Sequence, residues 1–512
     1  MQKLPIGIQH FPSLREEGYL YVDKTEHIHQ LINTGKFIFL SRPRRFGKSL
    51  LISTLQQLFL GNKSLFTGLW IEDKIEWKPR PVLTINFNDL DYREQSLATA
   101  LTNHMDHLAA EHGLQLQAEH YRDKFHDLIV HLSSEQKLVL LIDEYDRAIT
   151  DLLGDEQKVA EHVTTLKNFY SVLKSTAAEH IHWCMLTGIS KYGKMSIFSD
   201  LNNLLDITTD ARFATLLGYT QQELEAYFPD RIDALAESYA VSRPEILEAI
   251  RFWYNGFSWD GKQTVYVPFS TLVFFEQQSF ENHWFATATP SFFIKLLEKS
   301  QVPAYELGEV FADNKLLETA DINNIGAIAM LFQTGYLTIK EKIPSIHGTQ
   351  YRLGYPNHEV EQSFQQHLLA DYLQRPVDLL YSTLTNRLQK VLRKGDIEEF
   401  ILILNTVFAN IPHTIHLPYE AYYHSLVYLI LSLLGFTVNP EKITSQGRID
   451  AVLELPDKVY IVEFKMSTAQ IALDQIKARG YDKPYRASGK PIILLGIAFD
   501  KEQRVISDWA SE

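Results

Sequence analysis

Cysteine is almost absent from this chain of 512 residues, which contains Cys184 alone. A lone cysteine has no disulfide partner within the chain, and we expect it to be a core thiol in a reducing compartment. Long apolar runs are also missing: the most apolar segment, 426–438, falls short of the roughly 18 residues of a membrane span, so we expect a buried helix there. The first residues lack the apolar stretch of a secretory signal. These absences predict a cytoplasmic protein without membrane contact.

Basic residues are outnumbered by acidic ones. The chain has 49 Lys and Arg against 63 Asp and Glu, a net charge of −14. An acidic chain has no overall attraction for phosphate backbones, so any contact with nucleic acid must come from a local basic surface. None of the 19 His residues stands in a pattern typical of zinc ligands. The ordinary Gly and Pro contents exclude collagen-like and disordered classes.

The length predicts three or four domains. Up to about residue 210, short apolar runs alternate with helical patterns, which is typical of a parallel sheet. The runs are 37–40, 82–87, 138–142 and 184–187. A helical pattern follows up to about residue 299. A helix at 325–332 precedes two alternating strands, which indicates a winged-helix unit, and the chain ends in a second α/β pattern with strands at 449–454, 458–464 and 491–495.

The predicted fold class is therefore an α/β multidomain protein. It comprises a parallel-sheet domain, a helical domain, a winged-helix-like unit and a C-terminal α/β domain. Their predicted bounds are 1–215, 216–310, 311–374 and 375–512.

A phosphate-binding loop is the strongest motif of the N-terminal domain. Residues 41–49 have the sequence SRPRRFGKS, which ends as a P-loop does but has Arg42 in place of the first glycine. The loop follows an apolar strand and precedes an amphipathic helix, the arrangement of an anion site. We expect the amides around Gly47 to face phosphate, with Lys48 at the β- and γ-phosphates of ATP and the Ser49 hydroxyl on Mg²⁺. The adjacent Arg44 and Arg45 add positive charge.

A carboxylate pair at the end of another apolar strand completes the candidate ATP site. Asp143 would enter the Mg²⁺ shell, and Glu144 would orient or deprotonate the attacking water. The alternatives are that Asp143 caps the next helix and that Lys48 is a solvated helix residue. Both motifs follow strands in the order that a nucleotide site requires, which favours nucleotide binding. The segment after Thr187 could place a polar group near the γ-phosphate or form a simple turn.

The C-terminal domain has a second candidate site. Asp450 lies on one apolar strand, and Glu463 and Lys465 lie two residues apart on the next, hence on one face. The two carboxylates can bind Mg²⁺, and the lysine can orient water or neutralise charge at a phosphodiester, which is nuclease chemistry. The alternative is a structural ion pair at a sheet edge.

Four further residues are candidates for supporting roles at this second site. Glu420 and His424 are spaced i and i+4 on the preceding helix, and Gln475 is expected to begin a helix after the strand, with Tyr481 nearby. No positional argument identifies an arginine finger; Arg212 and Arg251 are candidates by residue type alone.

The chain resembles bacterial proteins that join an AAA-ATPase-like domain to a C-terminal PD-(D/E)XK nuclease superfamily domain. The resemblance covers nearly the whole length. It rests on the strings LPIG at 4–7, YVDKT at 21–25, SRPRRFGKS at 41–49, IDEYD at 142–146, LTGISK at 186–191, NN at 202–203 and GRID at 447–450. The family has arginine at the first P-loop position. The resemblance implies Asp450, Glu463 and Lys465 as the nuclease triad, with Gln475 accessory.

The resemblance implies ATP-dependent action on nucleic acid, with a suspected role in phage defence or mobile-element biology. One rival hypothesis is a signalling or scaffold NTPase whose nuclease-like domain only binds nucleic acid or a protein partner. Another is a nuclease whose N-terminal domain binds nucleotide without turnover. The sequence leaves open DNA versus RNA and allows a homo-oligomer.

Overall fold

The computed structural model describes most of the chain in two compact units. The first unit comprises Met1–Thr287 and Phe311–Glu359, and the second comprises Ala288–Val310 and Val360–Glu512. The residues described are 1–191, 197–198, 203–284, 291–314, 317, 326–373, 384–409, 419–438, 449–465, 467–500 and 505–512, of which 291–292, 298, 419–424, 437–438 and 449–450 are described by their backbone. The finer division into four domains stays a prediction.

Five parallel strands form the central sheet of the first unit. They are β1 (Phe37–Ser41), β2 (Val82–Asn86), β3 (Leu138–Asp143), β4 (Ile181–Gly188) and β5 (Leu204–Asp206). Their order across the sheet is β2-β3-β4-β1-β5. Every residue of β1 and β3 is buried, which explains their continuous apolar runs. The predicted parallel sheet is confirmed, and the buried Cys184 belongs to its core.

Helices of the first unit's α/β part connect and cover these strands. They are α1 (Phe11–Glu16), α2 (Thr25–Ile32), α3 (Lys48–Phe59), α4 (Leu97–Glu111), α5 (Tyr121–Leu132), α6 (Arg147–Thr150), α7 (Glu156–Tyr170) and α8 (Val172–Thr176). Short 3-10 turns of the first unit occur at Lys63–Phe66, Trp70–Asp73, Phe87–Asp89 and Ala211–Phe213, and those of the second unit at Ala304–Glu306 and Lys483–Ser488.

A helical segment follows, as the sequence pattern predicts. It contains α9 (Gln221–Tyr227), α10 (Pro229–Ser238), α11 (Arg243–Tyr254) and α12 (Pro268–Gln277). Capping boxes start two of these helices: Thr220 with Glu223, and Ser242 with Glu245. The apolar faces pack into one core that also contains Leu4, and this core joins the N-terminal segment to the helices.

A helix and a hairpin complete the first unit. Helix α14 (Ala327–Thr334) ends at Gly335, whose φ of 94° is the left-handed conformation that glycine adopts at helix ends. Strands β7 (Thr338–Ser345) and β8 (Gly348–Gly354) then pair antiparallel, and β6 (Val310–Asp313) lies beside β8. The predicted helix and hairpin are therefore present, while the winged-helix assignment stays a prediction.

The second unit contains a mixed sheet with its own helices. Its strands are β9 (Thr437–Val438), β10 (Ile449–Glu454), β11 (Val459–Lys465), β12 (Ile492–Asp500) and β13 (Val505–Ser511), in the order β13-β12-β11-β10-β9. Only β11 and β12 are parallel among the described pairs. The helices assigned to this part are α13 (Ser291–Ser300), α15 (His358–Tyr372), α16 (Asn386–Lys394), α17 (Ile397–Ala409), α18 (Tyr419–Leu433) and α19 (Ala469–Arg479).

The predicted buried helix at 426–438 is shorter at its C-terminal end than expected. Helix α18 ends at Leu433, and residues 437–438 form β9 instead. Gly435, with φ of 90°, interrupts the helix. Among the helices that the structure describes, none has the length and apolar character required to cross a membrane.

Candidate functional site

Three strand ends meet at one edge of the first unit's sheet. Strand β4 lies between β1 and β3 and pairs in parallel with both, with Ser41 opposite Gly188. Because parallel strands end at the same edge, the loop after β1, Thr187 near the end of β4 and Asp143 at the end of β3 lie together. The first candidate site of the sequence is therefore assembled at this edge.

The loop between β1 and α3 has the backbone of an anion cradle. Arg45 and Gly47 have φ values of 70° and 91°, which turn the chain sharply before α3 begins at Lys48. Lys48 is buried, and its Nζ donates to the carbonyl oxygens of Arg42 and Pro43, both at 2.9 Å. Burial lowers the pKa of Lys48, while the nearby carboxylates of Glu144 and Asp143 oppose that change. The alternative of a solvated lysine is wrong.

Arg42 supports the loop from inside the protein. The residue is 1% exposed, and its guanidinium donates to the carbonyl oxygens of Ser41, Thr208 and Phe213 at 2.7–3.2 Å. It also lies 3.9 Å from the ring centroid of Trp259. Burial lowers its pKa to about 9. Arginine at the first P-loop position is therefore a buried anchor whose guanidinium is held by backbone carbonyl oxygens.

Other contacts fix the loop on its outer side. Phe46 packs edge-on against the rings of Phe257 and Trp259. A Cβ on Gly335 would lie 2.8 Å from side-chain atoms of Pro43, so the end of α14 presses directly on the loop. The Arg45 guanidinium lies 3.6 Å from the ring centroid of Phe269. The loop is therefore clamped by the helical segment and by α14.

The carboxylate that ends β3 is held by its neighbouring strand. Thr187 donates from Oγ1 to Asp143 Oδ1 at 2.5 Å, and the amide of Glu144 donates to the same oxygen at 3.1 Å. Helix α6 begins at Arg147 with Asp146 at its N-cap, so the alternative of Asp143 as a helix cap is wrong. Thr187 contacts Asp143 directly, whereas the sequence left its position near the phosphate open.

The two residues after Glu144 tie this edge to the end of β4. The buried Asp146 carboxylate accepts from the amides of Ile189 and Ser190 and from the Ser190 hydroxyl. Tyr145 donates to the carbonyl oxygen of Ser190 at 2.9 Å. Burial raises the pKa of Asp146, and the hydrogen bonds from Ser190 oppose that change. The string IDEYD therefore combines two site residues with two structural ones.

A cavity of about 400 Å³ opens beside the loop. Four cationic side chains and one carboxylate line it, together with Ser49 and Gly47: Arg44, Arg45, Lys48, Arg147 and Glu144. This volume is in the usual range of small-molecule sites. An excess of positive charge, a backbone turn at Gly47 and hard oxygen groups on Ser49 and Asp143 fit a triphosphate with Mg²⁺. Apolar residues such as Ile8, Tyr219 and Leu272 line the remainder.

Arg147 is a cavity residue that the sequence reasoning missed. Its Nη1 atom donates to Glu144 Oε2 at 2.9 Å, and its Nε lies 3.5 Å from Asp151 Oδ2. Asp151 also accepts from Tyr92 and Arg93, both at 3.0 Å. The i, i+3 and i, i+4 spacing of Glu144, Arg147 and Asp151 is the signal that could have identified this cluster.

The two arginines considered by residue type lie elsewhere. Arg212 pairs with Asp210 at 2.6 Å, and Arg251 pairs with Glu248 at 3.0 Å. Both side chains are about half exposed, and neither lines the cavity. Their role as arginine fingers is not supported by their positions.

The second candidate site is on the mixed sheet of the second unit. Asp450 on β10 stands directly opposite Glu463 on β11, in an antiparallel pair. Directly opposite residues of such a pair belong to one face of the sheet. The side chain of Asp450 lies outside the described residues. Strand β11 is the middle strand of five, so this pair is not at a sheet edge.

Glu463 and Lys465 form a buried ion pair on β11. The two groups are 2.9 Å apart, and their side chains are 0% and 8% exposed. On the neighbouring strand Gly496 stands opposite Glu463, and a Cβ there would lie 2.3 Å from the carbonyl oxygen of Ala469. The glycine therefore allows the start of α19 to pack closely against the sheet.

Of the four candidates for supporting roles at the second site, the structure describes the side chains of Gln475 and Tyr481. Helix α19 begins at Ala469, so Gln475 lies in its middle and the prediction that it begins the helix is wrong. Its Nε2 atom is buried and has no hydrogen-bond partner in the part of the chain that the structure describes. Tyr481 packs beside Val459, Ile461 and Ile476. Glu420 and His424 are on α18, and their side chains lie outside the described residues.

The second site has oxygen donors that suit a hard cation. A carboxylate pair with a lysine is compatible with Mg²⁺, which keeps several waters and needs one or two protein carboxylates. Across the residues with described side chains, no group of three or more His, Cys, Asp or Glu could hold a metal ion.

Comparison with known proteins identifies the families that the two parts of the chain resemble. A family model described as a predicted AAA-ATPase matches residues 5–198, and one described as the PD-(D/E)XK nuclease superfamily matches residues 418–509. The chain belongs to the family of bacterial proteins that join these two domains, which confirms the resemblance. A full-length relative is the "Uncharacterized protein in vnfD 5'region" of Azotobacter chroococcum mcd 1. It is 39% identical over 528 residues, which cover 100% of this chain and 99% of the relative.

Proposed function

We propose that the protein hydrolyses ATP at the first site and cleaves nucleic acid at the second. The observation that carries the first activity is the cavity that unites Lys48, Ser49 and Glu144 beside the clamped loop. ATP would bind with its phosphates at the amides around Gly47 and at Lys48, and Arg44 and Arg45 add charge. Mg²⁺, held by Ser49 and Asp143, would neutralise charge on the phosphates.

Glu144 has the properties of the base in this proposal. Burial raises its pKa, and the nearby Lys48 opposes that change. A carboxylate with a raised pKa accepts a proton from water more readily than an exposed one does. Thr187 would act through Asp143, which it holds in place by a hydrogen bond.

The experiment for this activity measures phosphate release from ATP by the purified full chain. Glu144→Gln keeps the size and polarity of the side chain but cannot accept the proton, so turnover should stop while MgATP still binds. Turnover of Glu144→Gln at the wild-type rate would contradict the proposal. It would favour a domain that binds nucleotide without using Glu144 as a base.

The nuclease proposal is supported by the register that sets Asp450 opposite Glu463 and by Lys465 on the same face as Glu463. The two carboxylates would hold Mg²⁺, which supplies Lewis-acid activation at the phosphodiester. Lys465 would orient the attacking water or neutralise the negative charge of the reacting phosphate. Gln475 is an accessory candidate, since a buried amide without a partner among the described groups can serve a ligand.

The matching experiment incubates the full chain with end-labelled DNA and RNA, with and without Mg²⁺. Asp450→Ala, Glu463→Gln and Lys465→Met should each abolish Mg²⁺-dependent cleavage. Asp457→Ala is the matched control, because Asp457 is an exposed carboxylate on the turn between β10 and β11. Equal cleavage by the wild type and by Asp450→Ala would overturn the assignment.

One observation favours a second candidate function. Glu463 and Lys465 are buried against each other, as in an ion pair whose role is structural. In that case the C-terminal domain would bind nucleic acid or a protein partner without cleaving, and the ATP site would serve a signalling or scaffold function. The same assay separates the two: binding of nucleic acid without Mg²⁺-dependent cleavage by the wild type favours the second candidate.

Coupling of nucleotide state to the rest of the first unit would pass through α14. The amide of Lys191, just after β4, donates to Gln333 Oε1 on α14 at 2.7 Å. Gly335 at the end of the same helix presses on Pro43 of the phosphate loop. One helix thus contacts both sides of the nucleotide site, which supports protein packing as the function of this helix and its hairpin. A role in phage defence or mobile-element biology rests on the resemblance alone.

A further inference from the structure

The cluster of Arg147 with Glu144 and Asp151 has no role for Arg147 in the two activities as proposed above. The Arg147 guanidinium lines the cavity that contains Lys48 and Ser49, and it pairs with Glu144, the carboxylate expected to act as the base. About one third of the side chain is exposed, so it is neither fixed in the core nor fully solvated. Arg147 is the first residue of α6, where the helix dipole disfavours a positive charge. Its position therefore does not serve to stabilise α6.

The other cationic residues of the cavity already have contacts that hold them. Lys48 donates to two loop carbonyl oxygens, and Arg45 stacks on Phe269. Arg44 lies 4.0 Å from Asp151 at the edge of the cavity. Arg147 is distinguished by its bond to Glu144, because this bond occupies the oxygen that has to receive a proton during hydrolysis. The resting arrangement therefore restrains the base.

We propose that Arg147 is the arginine that stabilises the γ-phosphate of ATP during hydrolysis and that it does so after leaving its ion pair with Glu144. In that reaction the oxygen of water bonds to the γ-phosphorus, and the bond from this phosphorus to the bridging oxygen breaks. The electron pair leaves with ADP, and the proton of the water goes to Glu144. Arrival of the γ-phosphate thus gives the Arg147 guanidinium a new anionic partner, and the movement of Arg147 toward it releases Glu144 to act as the base. This inference rests on the ATP hydrolysis proposed above.

Asp151 has the geometry to guide this movement. It holds the Nε side of Arg147 at 3.5 Å while it also accepts from Tyr92 and Arg93. The guanidinium is thereby anchored near the cavity when its Nη1 bond to Glu144 is broken. An arginine supplied from the same chain would make a finger from a second copy unnecessary.

The test compares Arg147→Ala with Arg93→Ala in the full chain. Arg93 is the matched control, because it also pairs with Asp151 but is 72% exposed and does not line the cavity. The first readout is binding of MgADP alone and of MgADP with aluminium fluoride, which mimics the transferred phosphoryl group. The second readout is ATP turnover, and the third is the melting temperature.

We expect Arg147→Ala to bind MgADP within about threefold of the wild type and to lose the tighter binding with aluminium fluoride by about a hundredfold. Its turnover should fall by about a thousandfold, the lower range of an arginine-finger deletion. Arg93→Ala should match the wild type in all three readouts. Arg147→Gln keeps a donor for Glu144 without the charge, so it should fold and show the same losses even if the alanine variant is unstable.

Three outcomes would overturn the inference, and they differ in whether the proposed ATP hydrolysis fails as well. If the wild type turns over ATP and Arg147→Gln retains both turnover and the aluminium fluoride effect within about threefold, Arg147 has a structural role and only this inference fails. If the wild type shows no turnover of ATP, the proposed function fails together with it. Equal losses in Arg93→Ala and Arg147→Ala would also contradict it, since they would assign the effect to Asp151.

Discussion

Thr187 on β4 donates a hydrogen bond of 2.5 Å to Asp143 at the end of β3. The bond crosses between neighbouring strands, so the position of the proposed Mg²⁺ carboxylate depends on the register of the sheet. Both groups are buried, which makes an unmade bond costly. The proposed nucleotide site is therefore anchored in the core of the first unit.

Thr187→Val should weaken nucleotide binding only when Mg²⁺ is present. Valine has nearly the same shape but no donor, so Asp143 would lose a restraint worth about 1–3 kcal/mol. We expect about a tenfold weaker affinity for MgATP and an unchanged affinity for ATP in EDTA, measured by calorimetry. Thr187→Ser should restore binding. An equal loss with and without Mg²⁺ would show that the effect is not exerted through Asp143.

Lys48→Ala should abolish nucleotide binding. The substitution removes the buried cation of the cavity, and it leaves the carbonyl oxygens of Arg42 and Pro43 without their donor. We expect the affinity for MgATP to fall at least about a hundredfold in the same assay. Lys63→Ala, which changes an exposed lysine, is the control. Retention of wild-type affinity by Lys48→Ala would mean that phosphates do not bind at this loop.

Gly335→Ala should disturb the phosphate loop from the outside. The new methyl group would lie 2.8 Å from Pro43, and alanine is strained at φ of 94°. Gly348→Ala is the matched control, since Gly348 also has a positive φ, of 125°, but nothing within 4 Å of the added atom. Both variants should melt at lower temperature, and only Gly335→Ala should bind MgATP about tenfold less tightly. Equal affinities in the two variants would contradict the clamp.

Glu359 should make the stability of the first unit depend on pH. Burial raises its pKa from the ordinary value near 4.5 to about 7, although amides of His283 and Trp284 donate to it. Between these two values the unfolded chain releases a proton that the folded chain retains, so stability falls as pH rises through this window. The loss is on the order of 3 kcal/mol. It should be complete above about pH 7.

The measurement compares the melting temperatures of the wild type and Glu359→Gln from pH 5 to pH 8. The glutamine chain lacks this titration, so its melting temperature relative to the wild type should increase with pH. The comparison cancels His283 and His358, which titrate in both chains. Glu248→Gln, at an exposed carboxyl group, should show no such trend. A constant difference between Glu359→Gln and the wild type would contradict the assignment.

Much of the sheet could be predicted from the sequence, because buried parallel strands have continuous apolar runs. The run 138–142 corresponds to β3, and Asp143 follows as the polar residue at its end. The position of β4 between β1 and β3 could not be predicted, since strand order depends on long-range packing. The hydrogen bond from Thr187 to Asp143 depends on that strand order, so it could not be predicted from the sequence either.

Other side-chain positions depend on packing that no local pattern encodes. Arg42 and Arg44 carry the same charge and are two residues apart, yet Arg42 is anchored in the core on carbonyl oxygens while Arg44 lines the cavity. Gln475 lies in mid-helix because α19 begins at Ala469, where Gly496 allows close approach. The spacing of Glu144, Arg147 and Asp151 indicates that their side chains can pair, but it does not show that Arg147 lines a cavity.

The most direct test of the whole account measures cleavage of labelled nucleic acid as a function of nucleotide state. Wild-type protein with Mg²⁺ is assayed without nucleotide, with ATP and with ADP. Two variants are assayed in the same conditions: Glu144→Gln, which should bind ATP without hydrolysing it, and Asp450→Ala. We expect cleavage by the wild type to differ between ATP and ADP. Glu144→Gln with ATP should keep the cleavage activity of the ATP-bound state. Asp450→Ala should cleave in none of these conditions. Cleavage that is the same in every nucleotide state, or that persists in Asp450→Ala, would contradict it.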